Sequence, residues 1–347
     1  MADRGAGLLE RLDAGHVICA EGYLFELERR GYLQAGAYVP EVVLEHPEAV
    51  TELHREFVHA GSDVVEAFTY YGHREKLRLV GKEDLLEPLN RGALRLAREV
   101  ADETGTLLAG NTCNTNVFSP DDDARRTVRA MFEEQVGWAA EEDADFVIAE
   151  TFSWGEEALI ALDVVKETGL PAVITLAIHS EPETREGWTP EEACKRLEDA
   201  GADVVGLNCI RGPRTLLPLV ERVRETVAGH VAALPVPYRT TGEEPSFQSL
   251  HDPHWDEFPN DRPFPTALDP FTCNRYELAD FARLASELGV RYLGVCCGAG
   301  PHHIRSVAEA LGRTPPASRY SADMSKHAFF GSDPSLRDEN RGYAERL

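Results

Sequence analysis

The chain has 347 residues, of which 43% are hydrophobic and 27% charged, so it is globular and long enough for two ordinary domains or one large α/β barrel. Acidic residues outnumber basic ones 60 to 35, and the formal charge of -25 argues against nucleic acid or an anionic membrane as a partner. No run approaches eighteen uninterrupted apolar residues, and the first residues lack a signal-peptide pattern, so we expect a cytoplasmic protein.

Short β-rich runs alternate with amphipathic segments along most of the chain. The segments that follow the runs include predicted helices at 83–104, 123–142 and 301–311, and Thr189-Pro190 has the pattern of a helix start. Eight runs are predicted as strands, at 16–21, 63–70, 106–112, 145–151, 171–179, 203–209, 230–236 and 291–297. Strands that alternate with helices pair in parallel, so the pattern predicts a TIM-type (β/α)8 barrel.

The link after the seventh strand, residues 237–274, is abnormally long. It is rich in proline and carries six aromatic side chains, which are Tyr238, Phe247, Trp255, Phe258, Phe264 and Phe271. Long links inside compact domains are often lids or binding loops, so we predict a closing loop, with a passive surface excursion as the alternative. The barrel domain is predicted at 1–312, and 313–347 is predicted to be a C-terminal tail that is frayed or packs on another subunit.

Three cysteines fall at the ends of predicted strands. Cys209 closes the sixth run, and Cys296 and Cys297 close the eighth, where Gly298 allows the backbone to bend. The C-terminal strand ends of such a barrel share one mouth, so three thiolates can meet there. Zinc with three protein ligands keeps a fourth position open, which suits a substrate thiol. Adjacent cysteines do not fit the C-x-x-C spacing of a redox pair.

Other reactive side chains fall at the same predicted strand ends, among them Glu21, Tyr70, Tyr71, Glu150 and His179. Thiolate ligands leave a bound sulfur electron-rich, which favours alkyl transfer to a thiol over the activation of water. A zinc hydrolase or lyase on the same barrel, or a non-catalytic zinc protein, are the alternatives. His179 and the pair His302-His303 are interpreted as hydrogen-bonded residues, and Cys19, Cys113, Cys194 and Cys273 as small buried core residues.

The segments Gly206-Leu-Asn-Cys209 and Gly294-Val-Cys-Cys-Gly-Ala-Gly-Pro-His-His-Ile-Arg305 resemble the zinc motifs of the homocysteine S-methyltransferase family, and of its betaine-homocysteine branch above all. The similarity extends to Ala60-Gly-Ser-Asp-Val-Val-Glu-Ala-Phe-Thr-Tyr-Tyr71 and Asp145-Phe-Val-Ile-Ala-Glu150, and covers most of the chain. The resemblance implies a zinc-dependent barrel that passes a methyl group from glycine betaine, or a related methylated onium donor, to zinc-bound homocysteine, giving methionine.

The resemblance also implies roles for single residues. Cys209, Cys296 and Cys297 would bind Zn2+, Glu150 would hold the α-amino group of homocysteine, and Tyr71 would contact the donor. Aromatic faces attract quaternary ammonium, so Tyr38, Tyr70 and Tyr71 could form a cage around a methylated cation. Thr151 and Asn208 are expected to line the substrate site. The family's assembly implies a dimer or tetramer in which the tail contacts a neighbouring subunit.

Three positions depart from the betaine-dependent pattern. The family aspartate after the first strand is Ala20 here, and Glu21 is offset from it by one residue. Either the longer side chain of Glu21 reaches the same point in the substrate site, or amine recognition and proton handling there differ. The tryptophan of the donor cage is Tyr38, and the tyrosine after Glu150 is Thr151. A sulfonium donor (S-methylmethionine, dimethylsulfoniopropionate or S-adenosylmethionine) or another methylated amine therefore stands beside glycine betaine as an alternative.

Overall fold

Eight parallel strands close into a barrel in sequence order in the computed structural model, which describes residues 5–254 and 262–347. β8 pairs with β1, with Val17 opposite Tyr292, and this pairing closes the sheet. The strands β1 to β8 are Val17–Ala20, Val64–Glu66, Leu107–Cys113, Phe146–Phe152, Ala172–Leu176, Val204–Asn208, His230–Leu234 and Tyr292–Val295. The predicted TIM-type (β/α)8 barrel is confirmed.

Helices connect the strands and surround the barrel. As predicted, Thr189 begins a helix, because its hydroxyl accepts a hydrogen bond from the N–H of Glu192 in a capping box. Within the described ranges the helices α1 to α13 are Leu8–Ala14, Tyr23–Arg29, Val42–Glu45, Pro47–Ala60, Arg74–Val80, Leu86–Thr104, Asp122–Glu141, Gly155–Thr168, Pro190–Asp199, Pro213–Thr226, Arg275–Glu287, Pro301–Ala310 and Asp338–Ala344. None of the described helices is long and apolar enough to cross a bilayer.

The N-terminal half of the barrel interior is filled with apolar side chains. Leu8 and Leu12 of α1 pack with inward-facing residues of the strands, including Phe146 and Tyr292, whose rings meet edge to face at 6.4 Å. Burying each such side chain is worth roughly 1.5–3 kcal/mol. This end of the barrel is therefore a sealed core, and the polar side chains of the interior lie towards the opposite end.

Several predicted strands are too long at their C-terminal ends. β2 ends at Glu66 rather than at residue 70, β5 ends at Leu176 rather than at residue 179, and β8 ends at Val295. Beyond each of these points the backbone leaves the ladder. The β-rich composition continues into the turns because their side chains are buried around the mouth, so composition alone overestimates the strands.

The described part of the long link after β7 contains defined local structure. Tyr238 forms an isolated antiparallel bridge with Thr272, and Asp269–Phe271 is a 3-10 turn. Phe247 is buried, whereas Trp255 and Phe258 lie outside the described residues. The tail after α12 contains the 3-10 turns Pro316–Tyr320 and Met324–Lys326 and then α13.

Candidate metal and substrate site

The three strand-end cysteines meet at the barrel mouth. The sulfur atoms of Cys209, Cys296 and Cys297 all lie within 4.8 Å of one another, and all three residues are buried. Hydrogen bonds from the thiols of Cys296 and Cys297 hold the pKa of Cys209 well below its usual range. Burial raises the pKa of Cys296. The cluster therefore stabilises a thiolate at Cys209 and could hold a soft metal ion.

Left-handed backbone turns aim the side chains of this site. Tyr71 (φ 58°), Thr151 (φ 62°) and Cys209 (φ 57°) all adopt positive φ, and so does Ile210 after Cys209. Such conformations cost about 1–3 kcal/mol each for residues other than glycine and cluster at functional sites. Thr151 lies where the pairing of β4 with β5 shifts register between Ala149 and Phe152. The strain coincides with residues that the sequence had assigned to the site.

Gly298 makes the turn after the cysteine pair possible. Its φ is 92°, and a Cβ atom there would lie 2.2 Å from the hydroxyl oxygen of Tyr238. Tyr238 is fully buried, and its hydroxyl accepts a hydrogen bond of 2.8 Å from Arg29. The close approach of this ring leaves no space for a side chain at position 298, in agreement with the predicted bend.

Three buried carboxyl groups lie beside the thiols. Glu21, Glu150 and the sulfur of Cys296 form one group of possible ligands, and Cys19, Glu21 and Glu66 form another. Asn111 Nδ2 donates to Glu66 Oε1 at 2.5 Å and to Glu150 Oε1 at 2.7 Å. Glu21 and Glu66 each keep one buried carboxyl oxygen that accepts no hydrogen bond from the described residues.

Asn208 joins these carboxyl groups to the neighbouring strands. Its Nδ2 donates to Glu150 Oε2 at 2.6 Å, to Thr151 Oγ1 at 3.0 Å and to Glu21 Oε2 at 3.3 Å. Its Oδ1 accepts from the N–H of Thr151 at 3.0 Å. The amide of Asn208 therefore fixes the side chain of Glu150 and the strained backbone of Thr151 together.

Burial dominates the electrostatics of the carboxyl groups. It raises the pKa of Glu150 to about 7, although hydrogen bonds from Asn111 and Thr151 act in the opposite direction. Burial, followed by the charge of Glu150, raises the pKa of Glu21 and of Glu66 well above the usual range. Closely spaced carboxyl groups without a cation cannot all ionise, so the cluster is suited to a cationic ligand.

A cavity of about 320 Å³ opens from the thiols towards solvent. Tyr38, Tyr70 and Tyr71 line it together with Thr151, Cys209 and Cys297. The rings of Tyr70 and Tyr71 lie 4.4 Å apart, and burial raises the pKa of both residues, that of Tyr71 to about 12, so both remain neutral phenols. The ammonium of Lys76 lies 3.9 Å from the ring centroid of Tyr71 and occupies one face of that ring.

A second, much smaller cavity of about 10 Å³ is lined by Glu21, Glu66, Glu150, Cys296 and Cys297, among other residues. That volume is about enough for one group the size of a water molecule. The two cavities share the residues Leu24, Tyr70 and Cys297.

The structure thus brings together all ten residues that the sequence assigned to the site. Glu66 was not predicted, although a carboxylate inside the apolar run Val64-Val65-Glu66-Ala67-Phe68 is a signal that could have found it. His179 lines the larger cavity and its Nε2 contacts Ser153 Oγ at 2.9 Å. The pair His302-His303 opens α12, and the other four cysteines are buried, as predicted.

Comparisons with known proteins identify the family of the chain. The sequence profile of the homocysteine S-methyltransferase family matches residues 18–311. Betaine--homocysteine S-methyltransferase 1 of Xenopus tropicalis is 39% identical over 100% of this chain and 87% of its own length. S-methylmethionine--homocysteine S-methyltransferase BHMT2 of Rattus norvegicus is 38% identical over 94% of this chain and 86% of its own length.

A crystal structure of the metallated homocysteine methyltransferase MmuM from Escherichia coli shares the fold. Its TM-score is 0.66 at 18% identity, and the match covers 85% of this chain and 96% of that one. The profile match and the full-length relatives together place the chain in a family: it belongs to the homocysteine S-methyltransferases.

Proposed function

We propose that this member of the homocysteine S-methyltransferase family transfers a methyl group from glycine betaine, or a related methylated onium compound, to the sulfur of homocysteine, giving methionine. The observation that carries the proposal is the meeting of three thiols, three buried carboxyl groups and an aromatic cavity at one barrel mouth. The thiols would face the sulfur of homocysteine, and the carboxyl groups would face its amino group. The aromatic rings would face the methyl donor.

Cys209, Cys296 and Cys297 would hold zinc. Tetrahedral zinc with Zn–S bonds of about 2.3 Å places its sulfur ligands about 3.8 Å apart, and the three sulfurs already lie within 4.8 Å of one another. Zinc binds soft thiolate ligands well, so a set of three sulfur ligands suits it. When bound, zinc would keep one position for the substrate thiol, lower its pKa and leave its sulfur electron-rich.

The carboxyl groups would bind the amino group of homocysteine. Glu150 is held by Asn111, Asn208 and Thr151, and the small cavity beside it has room for one ammonium group. An ammonium group brings three N–H donors to a place where Glu21 and Glu66 each leave one buried oxygen without a donor. Binding there would orient the substrate with its sulfur towards the cysteines.

The donor would occupy the larger cavity. The free face of Tyr71 and the rings of Tyr38 and Tyr70 attract a methylated cation, while Lys76 keeps the other face of Tyr71 occupied. The thiolate sulfur attacks a methyl carbon, the new S–C bond forms as the C–N bond breaks, and the amine leaves with the electron pair. Well-oriented reactants can gain roughly 7–11 kcal/mol from positioning alone.

The link 237–274 would close this cavity. Phe247 and Phe264 reach into its lining, with rings 4.8 Å apart, and Phe247 also lies against Phe25 at 6.0 Å. These contacts place apolar surface over the reacting groups. We infer that the loop excludes water from the donor and from the thiolate.

Methionine formation from homocysteine and glycine betaine tests the proposal. The zinc-loaded protein is compared with Cys296→Ala and with Cys194→Ala, a matched control at a buried cysteine of α9 outside the site. We expect product from the unaltered protein and from the control, and none from Cys296→Ala. Absence of methionine with every onium donor, in a protein that binds zinc, would overturn the proposal.

A sulfonium compound is the second candidate for the donor. The relative named as an S-methylmethionine enzyme is nearly as similar as the betaine enzyme, at 38% against 39%. The small Thr151 side chain, in place of the family tyrosine, also lines the donor cavity. Methionine formed faster from S-methylmethionine or dimethylsulfoniopropionate than from betaine would identify a sulfonium donor.

We also infer that the chain works in the cytoplasm as a homo-oligomer in which residues 313–347 extend from the 1–312 domain to a neighbouring subunit. Tyr320, Met324 and Phe330 in this segment are exposed, and such apolar side chains gain stability when covered. Analytical ultracentrifugation of the protein with and without residues 313–347 tests the assembly. If the truncated chain forms a particle with the same number of subunits as the full chain, the role of the tail is refuted.

A further inference from the structure

The larger cavity is lined by side chains of two unlike kinds. Aromatic rings form much of its lining, and the polar side chains Ser153, His179, Arg185 and Gln248, here called the polar wall, line the same space. The thiols of Cys209 and Cys297 lie at the inner end. The polar wall is not needed for a cage around a methylated cation, so its chemistry points to another part of the ligand.

Most hydrogen-bonding groups of the polar wall are already engaged with each other. His179 Nδ1 lies 3.0 Å from Gln248 Oε1, and a carboxamide oxygen can only accept, so Nδ1 carries the proton. The other ring nitrogen, Nε2, then accepts from the hydroxyl of Ser153 at 2.9 Å. Arg211 donates to the carbonyl of His179 at 2.5 Å and keeps the segment after β5 in place. The guanidinium of Arg185 remains as the charged donor of the wall.

Arg185 forms no close salt bridge with any described residue, although its charge reaches Glu157: burial raises the pKa of Glu157, and Arg185 acts in the opposite direction. Among the described residues that line the cavity it is the only lysine or arginine, and no described carboxylate lies within 4.0 Å of its guanidinium. The carboxylate of Glu157, in the same lining, accepts two hydrogen bonds at Oε1 from Thr115, at 2.8 Å and 2.6 Å.

The guanidinium is positioned rather than free in solvent. The backbone N–H of Arg185 donates to the carbonyl of Ser153 at 2.8 Å, which ties its loop to the end of β4. Its guanidinium carbon lies 5.1 Å from the ring centroid of Trp154, which also lines the cavity. Stacking on an aromatic face leaves the edge of the guanidinium available for a planar anion such as a carboxylate.

We propose that Arg185 binds the carboxylate of the methyl donor, so that the donor is a zwitterion whose onium group points towards the thiols and whose carboxylate points towards the mouth. The aromatic rings that line the cavity attract the cationic group, and the guanidinium of Arg185, in the same lining, suits the carboxylate of such a molecule. Onium compounds without a carboxylate would satisfy only one end. This inference rests on the proposed function and specifies the substrate class of that site.

Two sulfonium donors separate the two ends of the cavity. Dimethylsulfoniopropionate and trimethylsulfonium both leave as thioethers after losing a methyl group, but only the first carries a carboxylate. Steady-state methionine formation is measured with both donors for the unaltered protein, for Arg185→Gln and for Arg196→Gln. Arg196 is a matched control because it also stacks on a tryptophan, Trp188, at 4.3 Å, but does not line this cavity.

We expect Arg185→Gln to raise KM for dimethylsulfoniopropionate about three- to tenfold, as the loss of a partly exposed charge pair predicts, with little change in kcat. Its KM for trimethylsulfonium should stay within about twofold of the unaltered protein. Arg196→Gln should change neither constant. Equal losses with both donors, or no change with either, would overturn the role of Arg185.

A calorimetric titration with glycine betaine gives the same comparison without turnover. If the unaltered protein forms no methionine from any donor, the proposed function fails; an increase in the betaine Kd in Arg185→Gln but not in Arg196→Gln would still support the carboxylate site. Equal Kd values in all three proteins, or no binding in any, would overturn it.

Discussion

Replacing Glu21 with glutamine tests whether this residue takes over amine recognition from the family aspartate that is Ala20 here. Glu21 Oε2 accepts from Asn208 Nδ2 at 3.3 Å, and Oε1 is buried without a donor. In Glu21→Gln the amide oxygen must face Asn208, because two N–H groups would repel. The amide nitrogen then faces the small cavity where an ammonium group is expected.

The variant therefore removes one charged hydrogen bond to the ammonium, worth roughly 1.5–3 kcal/mol. This predicts a fall in kcat/KM for homocysteine of roughly 10- to 150-fold, mostly through KM. The control substrate is 4-mercaptobutanoate, which is homocysteine without its amino group, and its kcat/KM should change by less than about threefold. Methionine and 4-(methylthio)butanoate are quantified by mass spectrometry with the zinc content of both proteins equalised. Equal losses with the two thiols would refute the reasoning, because they would show a general disturbance of the site.

Three further predictions concern the metal, the turn at Gly298 and the buried His54. Serine at Cys209, Cys296 or Cys297 should lower bound zinc from about one per chain to a small fraction after dialysis against a chelator, whereas Cys273→Ser should retain it. Gly298→Ala should lower the free energy of unfolding by roughly 2–4 kcal/mol in urea titrations, because the new Cβ atom would clash with Tyr238. The control Gly81→Ala also has a positive φ, 68°, but open space around it, so it should lower the free energy of unfolding by only about 1–2 kcal/mol. Burial lowers the pKa of His54 to about 3. The contribution of His54 to the free energy of unfolding is therefore complete above pH 6.5 and is lost as the pH falls from 6.5 towards 3. In His54→Asn the slope of the free energy of unfolding against pH in that window should be about 1.4 kcal/mol per pH unit smaller.

The architecture was predictable because the signals of a parallel barrel are repeated eight times. Each unit carries a β-rich run, most units also carry an amphipathic segment, and errors in one unit leave the others intact. Strand ends were less predictable. The run after Glu66 is as rich in β-forming residues as a strand, yet Tyr71 adopts a left-handed conformation and the carbonyl of Thr69 bonds to the N–H of Gly72 at 2.8 Å. Tertiary packing at the mouth decides these turns, and a local pattern does not record it.

The cluster of three cysteines was visible in the sequence, whereas the polar wall of the larger cavity was not. Cysteines are rare, so their positions at two strand ends carry information. Arg185 lies among many charged residues in an exposed loop, and its sequence neighbours Glu183 and Glu186 give no sign that its guanidinium lacks an ion pair. Only the stacking on Trp154 and the lining of the cavity single it out.

The strained residues connect the fold to the chemistry. Tyr38, Tyr71, Thr151 and Cys209 all hold positive φ angles, although none is a glycine, and all four line the larger cavity. Glycine would adopt these angles without cost, so stability alone would favour glycine there. A residue other than glycine at such a position is therefore explained by a role of its side chain. Cys209 offers a sulfur atom, Tyr38 and Tyr71 offer aromatic faces, and the hydroxyl of Thr151 donates to Glu150 at 3.0 Å. The strain is therefore independent support for assigning these four residues to one reaction site.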